Sequence, residues 1–157
     1  MNQDRSASNV SGMWMTILQH CFPVRSVSHV PEFSSGRGYG RSDIISIKWR
    51  RDNGNVYKQR PFLITQTKSP RYETWQSVWT GAENQLLGYL TTAAARNIGR
   101  CHYIWGIVAI GRKVKVYQYS RITGIMTVIT GPTPLHVDND AQLVRSTLAN
   151  INRRSQF

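Results

Sequence analysis

Residues 43–68 read DIISIKWRRDNGNVYKQRPFLITQTK, and the way this stretch folds decides the architecture. The runs DIISIKW and RPFLITQTK are rich in Ile, Phe and Thr, residue types that fill a pleated, half-buried surface. Between them RRDNGN carries an Asp-Asn-Gly core that tolerates positive φ, so a β-hairpin is expected, with Pro61 acceptable near the start of its second strand. Side chains alternate across a strand, so Asp43, Ile45, Ile47 and Trp49 share one face, as do Phe62, Ile64, Gln66 and Lys68. Each face turns polar at one end. A symmetric register about Gly54 and Asn55 sets Asp43 opposite Gln66, and the two polar ends meet.

Downstream, ETWQSVWTGAENQLLGYL repeats Trp75, Val78, Trp79, Ala82, Leu86, Tyr89 and Leu90 at spacings of three and four, the period of an amphipathic helix. YIWGIVAI and KVKVYQY read as strands joined at Gly111 and Arg112, and GIMTVIT as a third. Asp138 or Asp140 is placed to cap a last helix whose buried stripe is Leu143, Val144, Leu148 and Ile151. Upstream, residues 1–22 are expected to be an N-terminal segment, partly disordered or a short helix, and the Pro-, Ser- and Gly-rich residues 23–42 a loop. Residues 43–152 then form an α/β domain with a mixed central sheet flanked by helices, followed by a basic tail over 153–157.

A chain of 157 residues is sized for one core, and a composition that is 40% hydrophobic and 18% charged is globular. The 20 Lys and Arg against 8 Asp and Glu leave a formal +12, which draws the chain toward polyanions. DNA or RNA is the expected partner, and 15 of the cations are Arg, the residue suited to bidentate phosphate contacts. Arg37 and Arg41 around the glycines of GRGYGR, with Arg112 and Lys113 in the strand turn, are the candidate phosphate contacts. No run of about 18 apolar residues is present, so no membrane span is expected. Two cysteines, Cys21 and Cys101, make neither a disulfide framework nor a zinc site, and an intracellular location, cytoplasm or nucleus, is expected. The four histidines show no ligand spacing, and Trp49, Trp75, Trp79 and Trp105 are assigned to the core.

An acid, an amide oxygen and a lysine gathered at a sheet end have a chemical use. Asp43 and Gln66 offer hard oxygen ligands to Mg²⁺ (or Mn²⁺), and Lys68 can orient a water or stabilise charge growing on a phosphate. The plain alternatives are a turn residue at a strand start for Asp43 and a solvated lysine after a strand for Lys68.

These residues resemble the PD-(D/E)XK nuclease superfamily. GRSDI is similar to its Pro-Asp segment with Ser42 in place of Pro, and ITQTK to its (Asp/Glu)-x-Lys strand in the Gln-x-Lys variant known from Mrr-like restriction enzymes. QLLGY, with Gln85 and Tyr89, is similar to the Gln-x-x-x-Tyr motif that RecB-like members carry on the helix after the catalytic strands. The resemblance covers about residues 40 to 120 and extends to fungal proteins of the superfamily. It implies a single-domain restriction-endonuclease-like fold, catalysis by Asp43, Gln66 and Lys68, a metal held by Asp43 and Gln66, and support from Gln85 and Tyr89. Many members add an acid from a helix before the first strand, and residues 13–22 carry none. Either Glu32, in the loop after Pro31, or Glu83, on the helix edge opposite Gln85, substitutes, or the metal has fewer protein ligands. The expected function is a Mg²⁺-dependent nuclease acting on DNA or RNA; the alternative is a catalytically inactive nuclease-fold module that binds nucleic acid or a protein partner. The oligomeric state is open, a dimer included.

Overall fold

The computed structural model describes residues 3–22, 25–32, 43–51, 57–96 and 101–155. The hairpin forms as antiparallel β2 (Asp43–Arg51) and β3 (Tyr57–Lys68), and its turn, 52–56, lies outside the described residues. Asp43 pairs with Gln66, as the symmetric register expects, but by a different route. Ser46 pairs with Leu63 and Ile47 with Pro61, so Phe62 is an extra residue in the ladder, a β-bulge. Phe62 and Leu63 therefore enter the same apolar cluster although they are consecutive. The expected facemates are corrected accordingly: Gln66 keeps Ile64 and Lys68, while Phe62 turns to the other side.

Two further corrections lie upstream. Of the two expectations for residues 1–22, partly disordered or a short helix, the segment forms a helix, but a long one of 19 residues, α1 (Gln3–Cys21). Val10, Trp14, Leu18 and Phe22 recur every four residues and are all buried, and the polar residues between them face outward, which is why the segment looks unstructured by composition. The expected loop contains β1 (Val27–Glu32), an edge strand on β2, where Pro31 leaves no inner ladder bond unmade. Its polar character is offset by cross-strand bonds: the Trp49 indole Nε1 donates to Ser28 Oγ at 2.8 Å, and His29 Nδ1 lies 2.8 Å from Ser46 Oγ.

The sheet runs β1-β2-β3-β4-β5-β6, with β4 (Tyr103–Ile110), β5 (Lys113–Ser120), β6 (Met126–Val128) and a two-residue β7 (Leu135–His136) that also pairs with β5. β3 and β4 are parallel and every other pair is antiparallel, giving a mixed seven-stranded sheet in an α/β fold. A parallel pair needs a crossover, and α2 (Gln76–Arg96) supplies it after a 3₁₀ turn, Pro70–Tyr72.

One face of the sheet is covered by α1 and by α3 (Ala141–Arg154), whose Val144, Leu148 and Ile151 pack with Trp14, Leu18, Phe62 and Trp105. Leu143, expected in that stripe, is exposed, and α3 takes in Arg153 and Arg154 of the expected basic tail. Asp140 holds the N-cap position, but its carboxylate accepts from His136 N rather than from the helix. The other face is covered by α2 through Trp79, Ala82, Leu86 and Leu90. Gly106 permits this approach, because a Cβ there would meet Leu86 Cδ2 at 2.7 Å. Trp75, expected in the buried arc, is exposed. Both cysteines are free thiols, and no described helix is long and apolar enough to cross a membrane.

Candidate active site

The strand registers line up one row of residues across five strands: Glu32, Asp43, Gln66, Val108 and Lys115. Directly paired residues share a face, and Val108 packs in the α2 cluster, so the whole row belongs to the α2 side. Glu32 is the last residue of β1, not a loop residue as expected, and it is the direct partner of Asp43. The side chains of Glu32 and Asp43 lie outside the described residues, as do Arg37 and Arg41.

Gln66 is the described centre of the row. Its side chain is 0% exposed, and neither Oε1 nor Nε2 has a hydrogen-bond partner. An orphaned buried amide costs about 1–3 kcal/mol per group, so a glutamine in this condition is a position awaiting a ligand, water or ion. Two residues along the same strand face, Lys68 Nζ donates to Gln85 Oε1 of α2 at 3.2 Å. Tyr89, one helical turn after Gln85, is half-buried against the α2-side cluster. The structure thus joins Lys68 to Gln85 directly and sets Asp43 beside Gln66 by register, with Glu32 one strand beyond Asp43.

Glu83 is committed elsewhere. Its Oε1 accepts from Tyr117 OH at 2.6 Å and from Lys115 Nζ at 3.3 Å, and Lys115 also lies over the Trp79 ring. Burial, with the Glu83 carboxylate beside it, raises the Tyr117 phenol well above its ordinary value and keeps it a donor. This half-buried cluster ties α2 to β5 and so fixes the rotation that presents Gln85 to Lys68. Lys115 and Tyr117 are missing from the sequence expectation; the signal was available in KVKVYQY, where Lys113, Lys115 and Tyr117 alternate with the buried Val114 and Val116.

Of the basic candidates, Arg112 is held by Asp138 at 2.7 Å on the surface, and Lys113 is half-buried on the sheet. An open groove of about 300 Å³ between α1 and α3, lined by Ile17, Val144 and Leu148 among others, is on the opposite face and touches none of these residues. The groove is chiefly aliphatic, whereas the row carries oxygen-bearing residue types. Among the described residues no three His, Cys, Asp or Glu side chains come together.

In comparisons with known proteins, the chain matches no family model, no curated protein and no solved structure.

Proposed function

We propose that the protein is a nuclease of restriction-endonuclease-like fold that hydrolyses phosphodiester bonds in DNA or RNA with Mg²⁺ or Mn²⁺. The observation that carries this reading is Gln66, fully buried, unpartnered at both ends of its amide, and paired in register with Asp43, itself paired with Glu32. Two carboxylate positions and an amide oxygen in adjacent strands are hard oxygen donors, a set that fits Mg²⁺ or Mn²⁺ and not a thiophilic metal. Such an ion, when bound, supplies positive charge against the scissile phosphate and lowers the pKa of a bound water. Glu32 and Asp43 would hold it with Gln66. Lys68, anchored by Gln85, keeps an ammonium beside the phosphate and stabilises its developing charge. Tyr89 supports the helix that carries Gln85.

The test is cleavage of single- and double-stranded DNA and RNA with Mg²⁺ or Mn²⁺, wild type against Lys68→Ala. Loss of about 100-fold or more is expected. Activity untouched by that substitution removes the proposed mechanism.

A second reading, an inactive nuclease-fold module that binds nucleic acid or a protein partner, is favoured by two features: the amide at position 66 is neutral where most of the superfamily resembled has an acid, and Glu83 is taken by Lys115 and Tyr117. It predicts salt-sensitive nucleic-acid binding without cleavage and no Mg²⁺ affinity that depends on Asp43.

A further inference from the structure

The 3₁₀ turn that follows Lys68 carries an aromatic surface that the reading above does not use. Trp75 is 55% exposed, although tryptophan is among the most buried side chains on average. It is held in place. Its N–H donates to Tyr72 O at 3.0 Å, and its own carbonyl accepts from Val78 N and Trp79 N at the start of α2. The Tyr72 and Trp75 rings meet edge to face, 5.3 Å apart at 71°. Arg71 lies over the Tyr72 ring at 4.4 Å and donates to its hydroxyl.

The turn beneath is rigid as well. Glu73 Oε1 accepts from Arg112 N at 2.8 Å, and Gly111, with φ +59, has no room for a Cβ beside Pro70 and Glu73. Gly111 N donates to Lys68 O at 3.1 Å, which fixes this surface at the same end of the sheet as Lys68. Asp138 is paired with the Arg112 guanidinium, and the Glu73 carboxylate is turned to the Arg112 amide rather than to Arg71.

We propose that Trp75 and Tyr72, with Arg71, form a stacking platform for an unpaired nucleobase, so that single-stranded nucleic acid is the class of polymer taken at this end of the molecule. The inference rests on reading the chain as a nucleic-acid protein. An exposed, pre-ordered indole offers a flat face at small entropic cost, and a guanidinium beside it suits both stacking and the adjoining phosphate. A duplex keeps its base faces buried within its own stack and has nothing to lay on such a ring. The net charge of +12 supplies the attraction, and the platform supplies the discrimination.

The experiment measures binding of fluorescein-labelled 12-nucleotide single strands and of the matching duplex in EDTA, where no metal-dependent cleavage intervenes. Trp75→Ala should weaken single-strand binding about 10- to 100-fold and leave duplex binding within about twofold. Trp75→Phe, which keeps a ring, should retain most of the affinity while abolishing most of the quenching of tryptophan emission by single strands. A wild-type protein that fails to bind single strands, as a protein-docking surface would, overturns the inference. So does Trp75→Ala binding them like wild type, or losing both polymers equally with an unchanged thermal melt. If cleavage is absent and Trp75→Ala still loses single strands alone, the nuclease reading falls and the platform stands. If Lys68 proves catalytic and Trp75→Ala binds normally, the reverse holds.

Discussion

The two faces of the sheet treat their buried polar groups in opposite ways. On the α1/α3 face, Lys48 and Arg60 are paired in register and buried, and both are spent on the end of α3: Lys48 Nζ donates to Asn152 O at 3.1 Å and Arg60 Nη2 to Ser155 O at 2.7 Å. A helix leaves its last carbonyls without partners and carries negative potential there, so two cations beneath that end complete a fold. On the α2 face, Gln66 is equally buried and has no partner at either amide atom. Single orphaned atoms occur on the first face too, at Trp14 Nε1, His29 Nε2, Arg60 Nε and Thr65 Oγ1, but His29 and Arg60 are each bonded through another atom, and Trp14 and Thr65 carry only one polar atom. A glutamine held in that state costs stability without serving the fold, and on the function proposed above that cost is offset when a ligand binds.

The largest effect that tests this contrast is on the structural face. Trp14→Ala opens a void among Leu18, Phe62, Trp105 and Leu148 and should cost about 3–5 kcal/mol in urea denaturation. A loss below about 1 kcal/mol would mean that α1 does not complete the core. Next comes a pair expected to move in opposite directions. Arg60→Ala leaves the Ser155 carbonyl buried and unbonded and should destabilise by about 1–3 kcal/mol. Gln66→Met removes two unsatisfied atoms for a side chain of similar volume and should, in EDTA, raise stability by about 1 kcal/mol. The same variant should lose any Mg²⁺-dependent rise in melting temperature that wild type displays. If Gln66→Met is destabilising in EDTA, its amide is bonded in solution and the two faces are alike.

How legible all of this is from the sequence follows from which forces act locally. The hairpin, α2, β4 and β5 are marked by their patterning, whereas the expected pairing of Asp43 with Gln66 is reached only because the bulge at Phe62 shifts the ladder by one residue. The bulge at Phe62 is not legible, because it depends on how β3 meets both β2 and the helices beneath, a tertiary preference that alternation alone cannot express. α1 is obscured because one buried residue per turn suffices to dock a helix whose other positions are free to be Ser and Asn. β1 is obscured because an edge strand tolerates Pro31 and needs few apolar residues, and with β1 hidden Glu32 reads as a loop acid. The candidate triad was visible as a short motif; its fourth member required the strand that composition conceals. Trp75 misleads in the opposite sense, sharing the helical spacing while standing before the first residue of α2, where it is free of the buried arc.

The smallest effect sharpens the comparison from the structural side through pH. Burial, and then the neighbouring Arg60 charge, push the Lys48 amine down to about 8 from its ordinary 10.5, with Cys101 opposing. Besides Arg60 and the Cys101 thiol, the groups facing it are the two Asn152 oxygens and the Phe62 ring, none of which titrates. Between about pH 8 and pH 10.5 the unfolded chain therefore holds a proton at Lys48 that the folded chain has released, and stability contributed by this group climbs as pH rises through that window. Replacement by Met removes the linkage. Wild type should accordingly gain stability over Lys48→Met from pH 8 to pH 10, on the order of 1 kcal/mol in parallel denaturation curves, while the other lysines cancel in the difference. Tyr117, whose phenol is raised, acts with the opposite sign but only above its ordinary value of 10, and it is common to both proteins, so it cancels in the difference. A flat difference curve would mean that Lys48 is solvated beneath α3, and the cations of the first face would then be surface charges rather than parts of the helix end.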